Sequence, residues 1–591
     1  MRLRFLVALV VTAIGTMVAC GGSEGGSLVA TSVPTAPTGR TPAPTSAPST
    51  TVVPTQPPVT GTGTALDKAI NVPLKEEDNV RYGNIHRYSS TRMGGNVDTK
   101  YNNSTTISRE WKWVYEKLVG WEPNDNDSLS HLAPSMAESW SASADLKTYT
   151  FKIREGIKWQ NVPPVNGRQV VANDAVVSLN RYREPDATAQ PNWAQVDKIE
   201  APDPRTVVIK LKAPNAWALN DLFGALEAVV PPELIDKYKN EAGGAIRDEM
   251  IGTGPFITKN YRFRVGSEYV RNPDYWRKDS KGNKLPYLDG ISMKFIEDAA
   301  TASAAFRTGQ VDHQEQPVMT QETIIEVTKQ IPNMRIISTG VLITSGGFAF
   351  NSKNAPWNNV NVRRAINMSF DRQRYMALQG KLGLTFVWHG IVPPNYIKDG
   401  LLTQEDFGPY YKFNPTEAKK LLIAAGFPDG KMKVSTPWPN GSEVIQQMLK
   451  EQGIEVPIQT YSQTEFGLFY YNRSHKDIMG TFKNSGDSGL NWYAQNKFHP
   501  DASENTAFID DPKINELIKE LKTVTDPARE KQIARILWDF DIDQSYYIWY
   551  PALPAFYVTQ PRVRNMVFRS AQQFIGLPLM PWHTDAPRTS P

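Results

Sequence analysis

A single cysteine stands in the 591 residues, so no disulfide within the chain holds the fold. Beyond the first twenty residues, no stretch approaches the ~20 apolar residues that span a bilayer. Charge of either sign is also missing as a feature: 65 Lys and Arg stand against 61 Asp and Glu, evenly spread, leaving +4. That balance gives no electrostatic footprint for nucleic acid. Catalytic signatures are absent too, with no H-E-x-x-H, no G-x-S-x-G and no P-loop. The histidines at 86, 131, 313, 389, 475, 499 and 583 lie far apart without metal-ligand spacing, so neither metal nor cofactor is expected. Gly252-Thr253-Gly254 is too short for a dinucleotide loop and opens no helix. These absences weaken an enzymatic reading, although distant residues can still assemble a triad.

What is present begins at the N-terminus. Arg2 and Arg4 precede an apolar run, Phe5–Val18, of signal-peptide length. Met17-Val18-Ala19-Cys20 then has the form of a lipobox, where a cysteine thiol takes a diacylglycerol and the chain is cut before it. Residues 1–19 are therefore expected to be removed and Cys20 to carry a lipid; the bland alternative is an ordinary signal peptide with an incidental cysteine. Residues 20–64 are dominated by Pro, Thr, Ser and Gly and bury almost nothing, which describes a semi-extended stalk. The globular remainder is too long for one core, and two or three domains are expected. Fifteen Trp and 23 Tyr suit a ligand cleft lined by flat faces, and equally suit plain core packing.

Along the body, Ile107, Trp111, Val114, Tyr115 and Leu118 recur at helical spacing, predicting a helix packed by one face. TYTFKI and TVVIKL alternate as strands, with a helix DAVVSLNRY between them capped by Asn173 and Asp174. Gly252 and Gly254 predict a sharp turn before Pro255. Strands at Ser267–Val270 and Ile291–Ile296 follow, then a helix with Asp298 as N-cap and Gly309 as its stop. Farther on, Val362, Ala365, Ile366 and Ser369 share a helix face, and the nearby Arg363, Arg364, Asp371 and Arg372 are expected to be helix-surface charges and helix-end ion pairs. Asn414 and Pro415 start a helix that Gly426 ends, and Asp511 and Asp526 each precede a proline at two further helix starts.

Four phrases in order resemble one family closely: Gly252–Phe256, Arg271–Trp276, Leu285–Asp289 and Gly309–Asp312. They are similar to the G-T-G-P, R-N-P-x-Y-W, L-P-Y-L-D and G-x-[VI]-D phrases of the family 5 extracellular solute-binding proteins, the peptide, dipeptide and nickel type that serves ABC importers. The likeness extends through TYTFKIREGIKW, NVNVRRAINMSFDR and FNPTEAKKLLIAAGFPDG, covering about Tyr82 to Met566. Asn161–Arg168 departs from it with a longer turn.

The resemblance implies an α/β, two-lobed fold of the type II periplasmic-binding-protein kind, in its three-domain peptide-binding form. Lobe I would be discontinuous, at 80–121, 252–340 and 551–591, with an inserted domain at 122–251 and lobe II at 341–550. It further implies a monomer outside the cytoplasmic membrane that captures a ligand between lobes and delivers it to permease subunits driven by cytoplasmic ATPases. A short peptide is the first expectation for the ligand and an oligosaccharide the second. Peptide binders of this kind place a carboxylate on the ligand's amino group in a W-x-x-D-Y-x-[DE]-P stretch. The matching region, Ile478–Asp501, lacks that phrase, leaving Asp487 as the candidate carboxylate and Trp492 and Tyr493 as candidate stacking faces. A solvated Asp487 in a Ser/Gly loop is the competing reading. Of another class altogether would be an anchored extracytoplasmic hydrolase, and a sensory binder without a permease would look identical in sequence.

Overall fold

The computed structural model describes residues 79–587, less 102–104, 124–129, 224–226, 241–244, 247–248, 315–318, 339–344, 381–385, 387, 399–401, 435–437, 440–442, 460–464, 466–469, 471, 484–488, 552–555 and 567–580. Among the described residues, no helix is long and apolar enough to cross a membrane.

Three principal sheets organise the chain. The largest has seven strands in the order Arg335–Ser338, Phe556–Thr559, His313–Gln314, Ile85–Ser90, Gly290–Phe295, Gly266–Arg271 and Phe256–Arg262. Its central strand, Ile85–Ser90, runs parallel to both neighbours, and the outer pairs are antiparallel. A four-stranded antiparallel sheet is built from Ala137–Ala142, Thr148–Ile153, Thr206–Leu211 and Val196–Asp203. In TYTFKI, Tyr149, Phe151 and Ile153 are buried while Thr148, Thr150 and Lys152 are half-exposed, the period-two pattern of a sheet with one covered face. The third sheet pairs Ser345–Phe350 with Ile478–Lys483 on one side and Tyr547–Trp549 on the other. One core joins the seven-stranded and four-stranded sheets, a second lies beside Ala305 to Val558, and two more are built from residues between Phe348 and Trp549.

The predicted helix before Leu118 runs over Thr105–Val114, and Trp111, Val114, Tyr115 and Leu118 are all buried. The helix in DAVVSLNRY begins earlier than its capping pattern suggested. It spans Ala172–Asn180, so Asn173 and Asp174 sit inside its first turn rather than at the cap. Asp174 accepts there from Val171 N–H at 3.1 Å, from the Trp159 indole at 3.0 Å and from Arg168, and these tertiary donors draw the helix start back. Asp298, Asn414, Asp511 and Asp526 cap their helices as expected.

The chain bends over Thr253–Pro255 and extends from Phe256, as Gly252 and Gly254 predict, and the two glycines meet a second need as well. Neither takes a positive φ. A Cβ would stand 2.1 Å from the Val114 carbonyl oxygen at Gly252 and 2.6 Å from it at Gly254. The glycines let this strand entry pass against the end of the Thr105–Val114 helix, where Gly254 N–H donates to Val114 O at 2.8 Å. Beside them lies the buried carboxylate of Glu116. It accepts from Thr253 Oγ1 at 2.8 Å, Trp276 Nε1 at 2.8 Å and Tyr275 OH at 3.3 Å, with Arg277 Nε at 3.4 Å. Two of the four recognisable phrases thus meet on one carboxylate.

The arginines after Asn359 correct the expectation of surface charge. Arg364 and Asp371 behave as predicted: Arg364 pairs with Asp543 at 2.8 Å and Asp371 caps the helix Arg372–Gln379. Arg363 and Arg372, however, are 2% and 1% exposed. Arg372 donates to the carbonyl oxygens of Trp549, Asn367 and Tyr411 and to the Asn367 side chain, and its guanidinium lies 4.3 Å from the Tyr411 ring centroid. Arg363 donates to Gln544 O and Trp357 O. Carbonyl groups at strand and helix ends need donors, and the planar guanidinium supplies several in one place.

Candidate functional site

The segment that holds the predicted ligand residues is a short helix, Gly489–Tyr493, running into a π-helical turn at Ala494–Phe498. Gly489 opens it at φ +71°. Leu490, Ala494 and Phe498 enter a core that also holds Ala349, Trp538 and Trp549, which leaves Trp492, Gln495 and Asn496 half-buried. A wide turn of this kind rotates side chains away from regular helical spacing and recurs at functional sites.

Trp492 meets Tyr493 edge to face, with ring centroids 5.1 Å apart. Tyr493 is fully buried, so its ring offers no open face in this conformation, whereas Trp492 keeps part of its surface. Asp487 and Cys20 lie outside the described residues.

Facing this helix is the segment Asn215–Asp221, which leaves the four-stranded sheet. A Cβ at Gly489 would approach Trp217 Cζ3 to 2.7 Å, so only glycine admits the indole there. Trp217 Nε1 donates to Leu521 O at 3.0 Å, and Ala216 N–H donates to Lys522 O at 2.8 Å. Burial raises the Asp221 carboxyl above the usual range, opposed by hydrogen bonds from Asn215, Gln195 and Asn491 and by the charge of Lys522. Two separately cored regions are therefore joined by indole, amide and main-chain contacts. Indoles, amides and a carboxylate are groups that recognise a ligand by stacking and hydrogen bonding.

Sequence spacing missed a second cluster. His86, His313 and His583 come together with Asp312 inside the seven-stranded sheet, and all four are completely buried. Among the described residues, His86, Asp312 and His583 form the one group whose ligand atoms lie close enough to hold a metal ion, all within 4.8 Å of one another. Burial first, then the neighbouring imidazoles, lowers His86 well below the ordinary histidine value; burial takes His583 down to about 4. The only signal in sequence was Asp312-His313 at the end of the G-x-[VI]-D phrase, since nothing local points to His86 or His583.

Comparison with known proteins agrees with this architecture. Residues 131–509 match the model of the bacterial extracellular solute-binding proteins, family 5 Middle. The glutathione-binding protein GsiB of Escherichia coli (strain K12) is 25% identical over 480 residues, covering 77% of this chain and 87% of that protein. The periplasmic binding protein DppA from Helicobacter pylori, solved with the peptide STSA, superposes with a TM-score of 0.68 at 19% identity, covering 85% of this chain and 98% of that one. AgaA from A. tumefacien R10, solved with agropinic acid, gives 0.65 at 21%, covering 83% and 96%. The fold is the two-lobed α/β fold of these binding proteins, with a discontinuous first lobe. The chain belongs to the family 5 extracellular solute-binding proteins, the substrate-binding components of ABC importers.

Proposed function

We propose that this protein is a lipid-anchored, monomeric binder that takes a short peptide into the cleft between its lobes and delivers it to an ABC permease. The observation that carries the reading is the path of the chain between sheets. Strand Arg335–Ser338 lies in the seven-stranded sheet and Ser345–Phe350 in the three-stranded one; Tyr547–Trp549 then lies in the latter and Phe556–Thr559 back in the former. Two such crossings, near Gly340 and Tyr550, form a double-stranded hinge between separately packed regions, which favours rigid-lobe closure. Lobe I would comprise 80–121, 252–340 and 551–591, the inserted domain 122–251, and lobe II 341–550. The contacts of Ala216 and Trp217 with Lys522 and Leu521 would then form on closure.

A peptide ligand is supported by the ligands of the relatives, since GsiB is a glutathione-binding protein and DppA was solved with STSA. The agropinic acid of AgaA shows how far ligands range within the fold. In this reading Asp487 holds the peptide's amino group and Trp492 packs against the ligand. Cys20 carries the anchor, and the stalk 20–64 gives the body reach above the membrane.

Native mass spectrometry of the purified protein tests the ligand class. A ladder of peptide masses is the expected result, and a hexose ladder overturns the peptide assignment in favour of an oligosaccharide. Asp487→Asn should weaken peptide binding at least a hundredfold, and unchanged affinity removes Asp487 from the site. Cys20→Ala should release the body from the membrane fraction; unchanged fractionation removes the anchor.

A further inference from the structure

We propose that His86, His583 and Asp312 form a binding site for one divalent first-row transition ion, which fastens the C-terminal segment to the centre of the seven-stranded sheet. The site is independent of ligand capture between the lobes. Its parts come from three places in the chain. His86 projects from the central strand Ile85–Ser90, and Asp312 immediately precedes the neighbouring strand His313–Gln314. His583 lies on the two-residue strand Trp582–His583, which pairs with Val563–Arg564.

The distances describe a triangle of donors. His86 Nδ1 lies 3.0 Å from His583 Nε2 and 4.0 Å from Asp312 Oδ2, and one donor atom from each residue falls within 4.8 Å of the others. Metal–nitrogen bonds of about 2.0–2.1 Å in tetrahedral geometry set neighbouring ligand atoms roughly 3.3 Å apart. The histidine edge is close to that value, the His86–Asp312 edge must close by about 0.7 Å, and the His583–Asp312 edge, within 4.8 Å, by up to about 1.5 Å. A hydrogen bond between two imidazoles accounts for the 3.0 Å contact alone. The third corner is a fully buried carboxylate oxygen, which lies too far from His86 for a hydrogen bond.

The surroundings are those of a supported site. His86 Nε2 lies 2.8 Å from His313 Nδ1, with the two rings stacked at 4.9 Å, so His313 can accept from Nε2–H and leave the Nδ1 lone pair facing inward. That is the outer-shell arrangement that fixes the tautomer of a ligating histidine. Asp312 Oδ2 accepts from Arg87 N–H at 2.7 Å, and Oδ1 is taken by the Arg562 guanidinium. The carboxylate is thereby aimed, with one oxygen directed at the histidines.

Two nitrogens and one oxygen suit zinc, cobalt or nickel better than magnesium or calcium. Arg562 and Arg87 already share the carboxylate's charge, with Arg87 Nε 3.7 Å from Oδ2, so the ion's charge is only partly offset and both guanidinium groups weaken its binding.

The test uses the full chain after exposure to EDTA and dialysis. Cobalt(II) should bind with one-to-one stoichiometry by visible absorption, zinc should compete with it, and zinc should raise the melting temperature. His583→Ala should lower cobalt affinity at least tenfold and abolish the zinc-dependent shift, whereas His475→Ala, altering a buried histidine elsewhere, should change neither. Should His583→Ala fail to fold, X-ray absorption of the cobalt-loaded wild-type chain decides the matter: two imidazoles and a further oxygen ligand support the site. No stoichiometric cobalt uptake, uptake that survives His583→Ala in a folded protein, or an absorption spectrum lacking two imidazoles overturns the proposal.

Discussion

Glu110 and Glu116 in the region around the seven-stranded sheet and Arg372 in the region around the three-stranded sheet are buried charges satisfied in opposite ways. In the first, buried carboxylates gather donors from side chains. Glu110 accepts from Tyr88, Ser267 and Tyr269, and Glu116 from Thr253, Tyr275 and Trp276. In the second, the buried guanidinium of Arg372 is satisfied almost wholly by main-chain carbonyls, with no carboxylate partner, and burial lowers its pKa to about 10. A carboxylate can be surrounded by hydroxyl and indole donors because strands present such side chains at fixed positions. Carbonyl oxygens at element ends instead call for a donor that carries several N–H groups. The same physical demand, that a buried charge be fully hydrogen-bonded, therefore selects different residues according to which backbone groups the fold leaves over.

The comparison should break most sharply at Glu116. Glu116→Ala removes the acceptor shared by Thr253, Trp276 and Tyr275 and strands the buried Arg277. A loss of about 3–5 kcal/mol in unfolding free energy is expected by urea titration. A change below about 1 kcal/mol, the size of a surface ion pair, would show that the hub holds nothing together.

Acid probes the second region next. His475 is buried beside the second region's core, donates Nε2–H to Thr506 O at 2.8 Å, and is lowered by burial to about 4. Because the folded value lies below the unfolded ~6.5, its contribution is complete above that pH and is lost as pH falls towards 4. That loss is at most about 3 kcal/mol, at ~1.4 kcal/mol per unit. His475→Gln keeps an N–H donor without a titration, and it should reduce the slope of the stability profile between those pH values by one histidine's share, leaving that of His86 and His583. An unchanged slope would assign the acid sensitivity to other groups.

The smallest effect is expected at Arg372. Arg372→Lys keeps the charge but cannot reach the carbonyls of Trp549, Asn367 and Tyr411 together or stack on Tyr411. A cost of about 2 kcal/mol is expected by the same titration. If lysine is tolerated without loss, charge alone suffices and the contrast between the two regions disappears.

These cases show where local reading works. Helix caps at Asp298, Asn414, Asp511 and Asp526 are legible because the capping oxygen and its N–H lie within three residues of each other. The alternation in TYTFKI is legible because one face of the strand meets a core. Arg363 and Arg372 were misread because exposure depends on what packs against a helix from more than a hundred residues away. Trp492 and Tyr493 have nearly identical sequence surroundings, yet one is half-buried and the other wholly enclosed.

By itself, then, the sequence determined the elements, the absence of an internal disulfide and the family likeness, for these rest on periodicity, composition and phrases of neighbouring residues. Only the tertiary structure decided that Gly252 and Gly254 serve a close helix approach, that Glu116 collects two of the family-like phrases around it, and that His86, Asp312 and His583 share one buried corner. The physical reason is distance along the chain. His86 and His583 are 497 positions apart, and the register of parallel strands, together with the return of the C-terminal segment, sets their nitrogens 3.0 Å from each other.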